Sequence, residues 1–153
     1  MLRLSKLTDY AVVVLARLAE RSGSQTAPAI AAATGIAEPT VAKVLKSLAH
    51  AGLVEGRRGS GGGYWLARPL REMTIPDVIT AIDGPVALTA CVDGGQGQCD
   101  AEALCPVRGR WDRVNQAVLA ALSEITLDEL AAPPAPARRH PTPPALPAHL
   151  PAE

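Results

Sequence analysis

Phenylalanine is absent from this 153-residue chain, and two Trp and two Tyr are its only aromatic residues. A core must therefore be built from aliphatic side chains, and an apolar content of 48% suffices for one domain of ordinary size. Long apolar runs are missing too. The longest aliphatic stretch, Ala11–Ala16, ends at Arg17, far short of the roughly 18 residues a membrane span needs. Asp9 precedes that stretch and no small-residue cleavage site follows it, which argues against a secretory signal and for a cytoplasmic protein without membrane attachment. Cysteine is scarce: Cys91, Cys99 and Cys105 form an odd set, so a disulfide framework is not the expectation. Net charge is lacking as well, with 15 basic and 15 acidic residues. Taken whole, that balance argues against nucleic acid, whose binders usually carry a basic excess. Divided at residue 71 it reads differently. Residues 1–71 hold 10 Lys/Arg and 4 Asp/Glu, a balance of +6, whereas residues 72–153 hold 5 and 11, a balance of −6.

What is present falls into three regions. Residues 1–71 read as helix, helix, helix, hairpin. Cap-type residues at 5–9 precede a helix carrying Leu7, Ala11, Val14, Leu15 and Leu18 at helical spacing. Thr26 caps a short Ala-rich helix over 27–34, with Pro28 in its first turn and Gly35 as the turn residue. Glu38 and Pro39 open a third helix with the stripe Val41, Val44, Leu45 and Leu48, and Gly52 stops it. Short strands at 53–55 and 64–66 flank a glycine-rich tip that carries Arg57 and Arg58. Residues 72–131 hold a fourth helix over 73–82, a polar segment with all the cysteines, a long helix over 107–125 and a further turn at 127–131. From Ala132 onward 8 of 22 residues are proline, so residues 132–153 are expected to be a disordered Pro/Ala tail.

Two short helices joined by a glycine turn, with a hairpin behind them, match a winged helix-turn-helix. The fold class expected is mainly α, with a long C-terminal helix. Opposite the apolar stripe of the third helix lie Thr40, Lys43, Lys46 and Ser47, with Pro39 at its N-terminal tip. The lysines can neutralise phosphates, and Thr40 and Lys43 can reach base edges. Arg57 and Arg58, with Ser60 and Gly61 on the flexible tip, suit phosphate contact or minor-groove insertion. The bland alternative is a helical bundle whose charges are merely solvated. The glycine run lacks the Gly-Lys-Ser/Thr ending of a nucleotide-binding loop and no helix follows it.

The cysteines follow the pattern C-x7-C-x5-C, without the CxxC pair of a zinc ribbon or the tight repeat of bacterial ferredoxins. Asp, Gly and Gln separate them, so buried small hydrophobes are the weaker reading. Three thiolates from one chain suit an iron–sulfur cluster with a fourth ligand from elsewhere, or a zinc site lacking one ligand.

Leu7-Thr8-Asp9-Tyr10-Ala11, the wing Arg58-Gly59-Ser60-Gly61-Gly62-Gly63-Tyr64 and cysteines ahead of a long helix together resemble one family. It is the iron–sulfur winged-helix repressors of the IscR, NsrR and RirA types, and the likeness covers residues 1–131. Within it, Cys105-Pro106-Val107-Arg108-Gly109-Arg110-Trp111 looks most similar to the regulators of Suf iron–sulfur assembly. The resemblance implies a homodimer joined through helix 107–125, one cluster per subunit, and a pseudo-palindromic double-stranded DNA operator read about 34 Å apart. Where the IscR pattern has a histidine ligand three residues after the last cysteine, this chain has Arg108. Asp9 stands where the NsrR type has an aspartate ligand given by the partner subunit, although an aspartate at a helix start is favoured by the dipole in any case. Three cysteines with a carboxylate favour a four-iron (4Fe–4S) cluster, the two-iron (2Fe–2S) type being the alternative.

The leading expectation is thus a cluster-sensing repressor of iron–sulfur assembly genes. A winged-helix regulator sensing nitric oxide, iron or thiol oxidation, with the cysteines as a redox or zinc site, is the second. An enzyme is disfavoured, because no nucleophile–base constellation is present and the core is too small for a catalytic domain.

Overall fold

The computed structural model describes residues 3–92 and 104–132, so Cys99 and all of the expected Pro/Ala tail after Ala132 lie outside the described residues. In chain order the elements are α1 (Lys6–Ala19), α2 (Ala27–Thr34), α3 (Glu38–His50), β1 (Val54–Arg57), β2 (Gly63–Leu66), a 3-10 turn at Leu70–Glu72, α4 (Ile75–Asp83), α5 (Trp111–Ser123) and α6 (Leu127–Ala131). Among the described residues the chain is mainly helical with one small antiparallel hairpin, as the winged helix-turn-helix expectation requires. No helix among the described residues is long and apolar enough to cross a membrane.

Local chemistry sets most boundaries. The Ser5 hydroxyl accepts the Thr8 N–H at 3.1 Å and so satisfies one of the free donors at the start of α1. Thr26 does the same for Ala29 at the start of α2. α2 ends at Gly35, whose φ of +71° is left-handed and whose N–H bonds to the Ala31 carbonyl; a side chain would be strained in that conformation. At α4 the Asp77 carboxylate accepts the Thr74 N–H at 2.8 Å, forming a capping box, and Arg68 bonds the same oxygen at 3.1 Å. A second capping box, Thr126 with Glu129, opens α6; the Thr126 N–H and hydroxyl hold the Glu129 carboxyl below its ordinary pKa.

One core unites these elements. Ala11, Val14, Leu15 and Leu18 of α1 meet Ile30 of α2, the Val41, Val44, Leu45 and Leu48 stripe of α3, and Val78 and Ile79 of α4. Leu127 of α6 closes it from the C-terminal side, with its N–H on the Met73 carbonyl at 2.9 Å. Thr8 is buried with them, and its hydroxyl donates to Asp83 Oδ2 at 2.6 Å, tying the first turn of α1 to the last turn of α4.

The reading of α5 departs from the structure at both ends. The helix read from Val107 starts only at Trp111. Residues 106–110 form turns instead, with the Arg108 N–H on the Cys105 carbonyl and the Arg110 N–H on the Val107 carbonyl. Apolar spacing includes Val107, but that side chain remains 42% exposed, so no burial drives the extra turn. The helix also ends at Ser123 rather than 125, leaving Ile125 in the connection to α6.

Candidate nucleic-acid interface and cysteine segment

α3 turns its apolar stripe into the core and its polar face outward. Pro39, Lys43 and Lys46 are exposed, while Thr40 and Ser47 are half-buried on the flank of that face. All five predicted α3 residues therefore share one accessible side. The helix N-terminus adds the backbone's own positive end to it. Neither lysine is in an ion pair among the described residues, and the same holds for Arg57 and Arg58.

The wing begins directly behind α3, because Leu53 returns its N–H to the Leu48 carbonyl at 2.9 Å and carries the chain into β1. β1 and β2 pair Val54 with Leu66 and Arg57 with Gly63. The indole of Trp65 donates to Glu55 Oε2 at 3.2 Å across the strands. At the tip the Gly62 N–H bonds to the Gly59 carbonyl at 2.9 Å, and residues 57–61 are all exposed. Arg57, Arg58, Ser60 and Gly61 thus stand on one projecting turn.

This hairpin is not loosely attached. Gln25, between α1 and α2, exchanges both main-chain bonds with Tyr64, at 2.9 and 2.8 Å. Its buried side chain donates to the Arg17 carbonyl at 3.1 Å, fixing the same residue to the end of α1. Ser24 adds a bond to the Gly61 carbonyl at 3.4 Å. Sequence patterns did not single out Gln25, since an amide in a polar turn carries no periodic signal.

The cysteine segment is described at its two ends. Cys91 and Cys105 are both half-buried and free of disulfides, and the Thr89 hydroxyl lies 3.4 Å from Cys91 Sγ. Asp9 is exposed on α1 beside a cavity of about 310 Å³ lined by Leu4, Thr8, Val12, Ile75, Val78 and Leu130. Neither described cysteine lines that cavity, and no cluster of three metal-ligating side chains occurs among the described residues. Among the described residues, Asp9, Cys91 and Cys105 do not form a group that could hold a metal ion. The donors still fit an iron–sulfur cluster by type, as soft thiolates in a partly exposed segment, whereas the guanidinium at Arg108 cannot ligate a metal. Asn115 of α5 was missed by sequence reasoning. It is buried and bonds the main chain of Val86 and Leu88, and its one signal was a polar residue inside the stripe Trp111, Val118, Leu122.

Comparison with known proteins agrees with this architecture. A family profile described as "Rrf2: Iron-dependent Transcriptional regulator" matches residues 4–133. The HTH-type transcriptional repressor NsrR of Streptomyces coelicolor is 32% identical over 136 residues, 87% of this chain and 90% of that one. The HTH-type transcriptional regulator IscR of Vibrio cholerae is 32% identical over 131 residues, covering 84% and 75%. Among solved structures, CymR, the global cysteine regulator of B. subtilis, superposes with a TM-score of 0.64 at 28% identity, over 86% of this chain and 97% of that one.

Proposed function

Because the chain belongs to the Rrf2 family of transcriptional regulators, we propose that it acts as a homodimeric repressor of iron–sulfur assembly genes, sensing through a labile cluster on Cys91, Cys99 and Cys105. It is a regulator and not an enzyme. The observation that carries the reading is the basic reading head: Lys43 and Lys46 on α3 and Arg57 and Arg58 on the wing, all exposed and outside ion pairs among the described residues. In this reading α3 enters the major groove of the double-stranded operator, Thr40, Lys43 and Ser47 face the bases, and Pro39 and Lys46 border the backbone. Arg57, Arg58, Ser60 and Gly61 meet the neighbouring minor groove or its phosphates.

α5 serves as the pairing element. Asn115 is its one buried residue, whereas Trp111, Val114 and Leu119 remain 41%, 45% and 36% exposed, apolar side chains only partly covered in the single subunit. Asp9 of the partner subunit is the fourth ligand proposed, which with three thiolates favours 4Fe–4S over 2Fe–2S. When bound, such a cluster supplies reactivity towards oxygen, nitric oxide and iron loss. Occupancy can control transcription only if the two forms differ in operator affinity.

The test is anaerobic purification, absorbance spectroscopy and operator binding with and without the cluster. A brown protein whose operator affinity changes on cluster loss is expected; a colourless, iron-free protein would sink the cluster reading. That second result would favour thiol sensing instead. Arg58→Ala is expected to weaken operator binding by about 1–3 kcal/mol. An equal loss on random duplex would make Arg58 a phosphate contact and not a groove reader.

A further inference from the structure

Asn115 does something that the apolar stripe of α5 does not require. It is 6% exposed, and both ends of its amide are spent on the main chain of a distant segment. Oδ1 accepts the Leu88 N–H at 2.9 Å, and Nδ2 donates to the Val86 carbonyl at 3.0 Å. Residues 86–88 belong to no helix or strand, so no ladder fixes their path. Apolar packing holds them incompletely: Val86 and Leu88 line a cavity of about 420 Å³ together with Val118 and Leu122. The amide therefore sets where this stretch of backbone runs. The amide accepts with one end and donates with the other; a carboxylate could take the Leu88 N–H but offer nothing to the Val86 carbonyl.

The location gives this clamp its meaning. Leu88 lies just ahead of Thr89 and Cys91, whose hydroxyl and sulfur are 3.4 Å apart. On the other side, Cys105 is followed by the turns over 106–110 and then by α5, which carries Asn115. One buried side chain thus joins the strand of chain entering at Cys91 to the helix leaving from Cys105. We propose that Asn115 is a positioning residue for the thiols: it holds Cys91 where it can share a metal-containing group with Cys105. The proposal rests on the reading of these cysteines as ligands, but it does not depend on which metal group they hold.

The reduced, metal-free, full-length protein is titrated anaerobically with Co(II), with thiolate-to-cobalt charge-transfer absorbance as the signal. Asn115→Leu keeps the branched outline of the side chain and removes both bonds, and its Co(II) affinity is expected to fall about 10–100-fold at an unchanged thiol count. Asn115→Asp, which keeps the acceptor for Leu88, falls between this variant and the wild type. Leu122→Ala loosens the packing of α5 on α4 but leaves the amide bonds, and its affinity matches the wild type. Asn115→Leu binding Co(II) like the wild type, Leu122→Ala losing as much as Asn115→Leu, or a wild type without a charge-transfer band would each overturn the proposal. If the Co(II) series behaves as expected while no iron–sulfur cluster can be assembled, the cluster reading fails and the role of Asn115 stands.

Discussion

Gly62→Ala is expected to lower operator affinity by one to two orders of magnitude while barely moving the thermal midpoint, on the scale of about 1.4 kcal/mol per tenfold. A Cβ at Gly62 would press into the Arg57 carbonyl oxygen and approach the Gly59 carbonyl oxygen to 2.9 Å, so it meets backbone and not a side chain that could swing away. Overpacking of this kind costs about 1–3 kcal/mol where the surroundings are rigid. Here the neighbours at 57–61 are exposed, so the turn opens instead and the core is spared. Arg57 and Arg58 then leave their positions together. Fluorescence anisotropy with an operator duplex, beside a thermal melt, measures both quantities; wild-type affinity in the variant would mean that the tip geometry does not matter.

Cys105→Ser, and equally Cys91→Ser, is expected to abolish the visible absorbance of anaerobically reconstituted protein and leave the far-ultraviolet circular dichroism unchanged. A serine hydroxyl stays protonated near neutral pH and is a poor ligand for iron, whereas thiolates are the donors such clusters use. Both cysteines are only half-buried and neither belongs to the core, so the replacement costs the fold little. Iron and sulfide analysis alongside the spectra decides the matter. Full iron occupancy in either variant would remove that cysteine from the ligand set.

Much of this architecture was legible because it is local. Ser5 and Thr26 were readable as helix starts from residue type, and each does cap its helix. The stripe Val41, Val44, Leu45 and Leu48 was readable from its period, and all four side chains are fully buried. The exposed face of α3 and the wing tip followed by subtraction. What escaped depends on partners far along the chain. Gln25 meets Tyr64, Thr8 meets Asp83, and Asn115 meets Val86 and Leu88, each pair joined only once the core has assembled. The overlong reading of α5 failed for the opposite reason: Val107 fitted the local period, but no tertiary surface was there to bury it.

The pair of main-chain hydrogen bonds between Gln25 and Tyr64 makes the wing a continuation of the helical body, since the same glutamine is anchored to the end of α1 on which α3 packs. Helix and wing therefore cannot drift apart along a DNA groove. A half-site is measured by a fixed caliper, so the distance between the bases under α3 and those under the wing admits no inserted base pair. In the proposed homodimer, any freedom in operator spacing must lie between half-sites, where the two subunits can shift relative to one another. A regulatory signal that acts on this molecule would then alter the distance between two calipers, not the opening of either one.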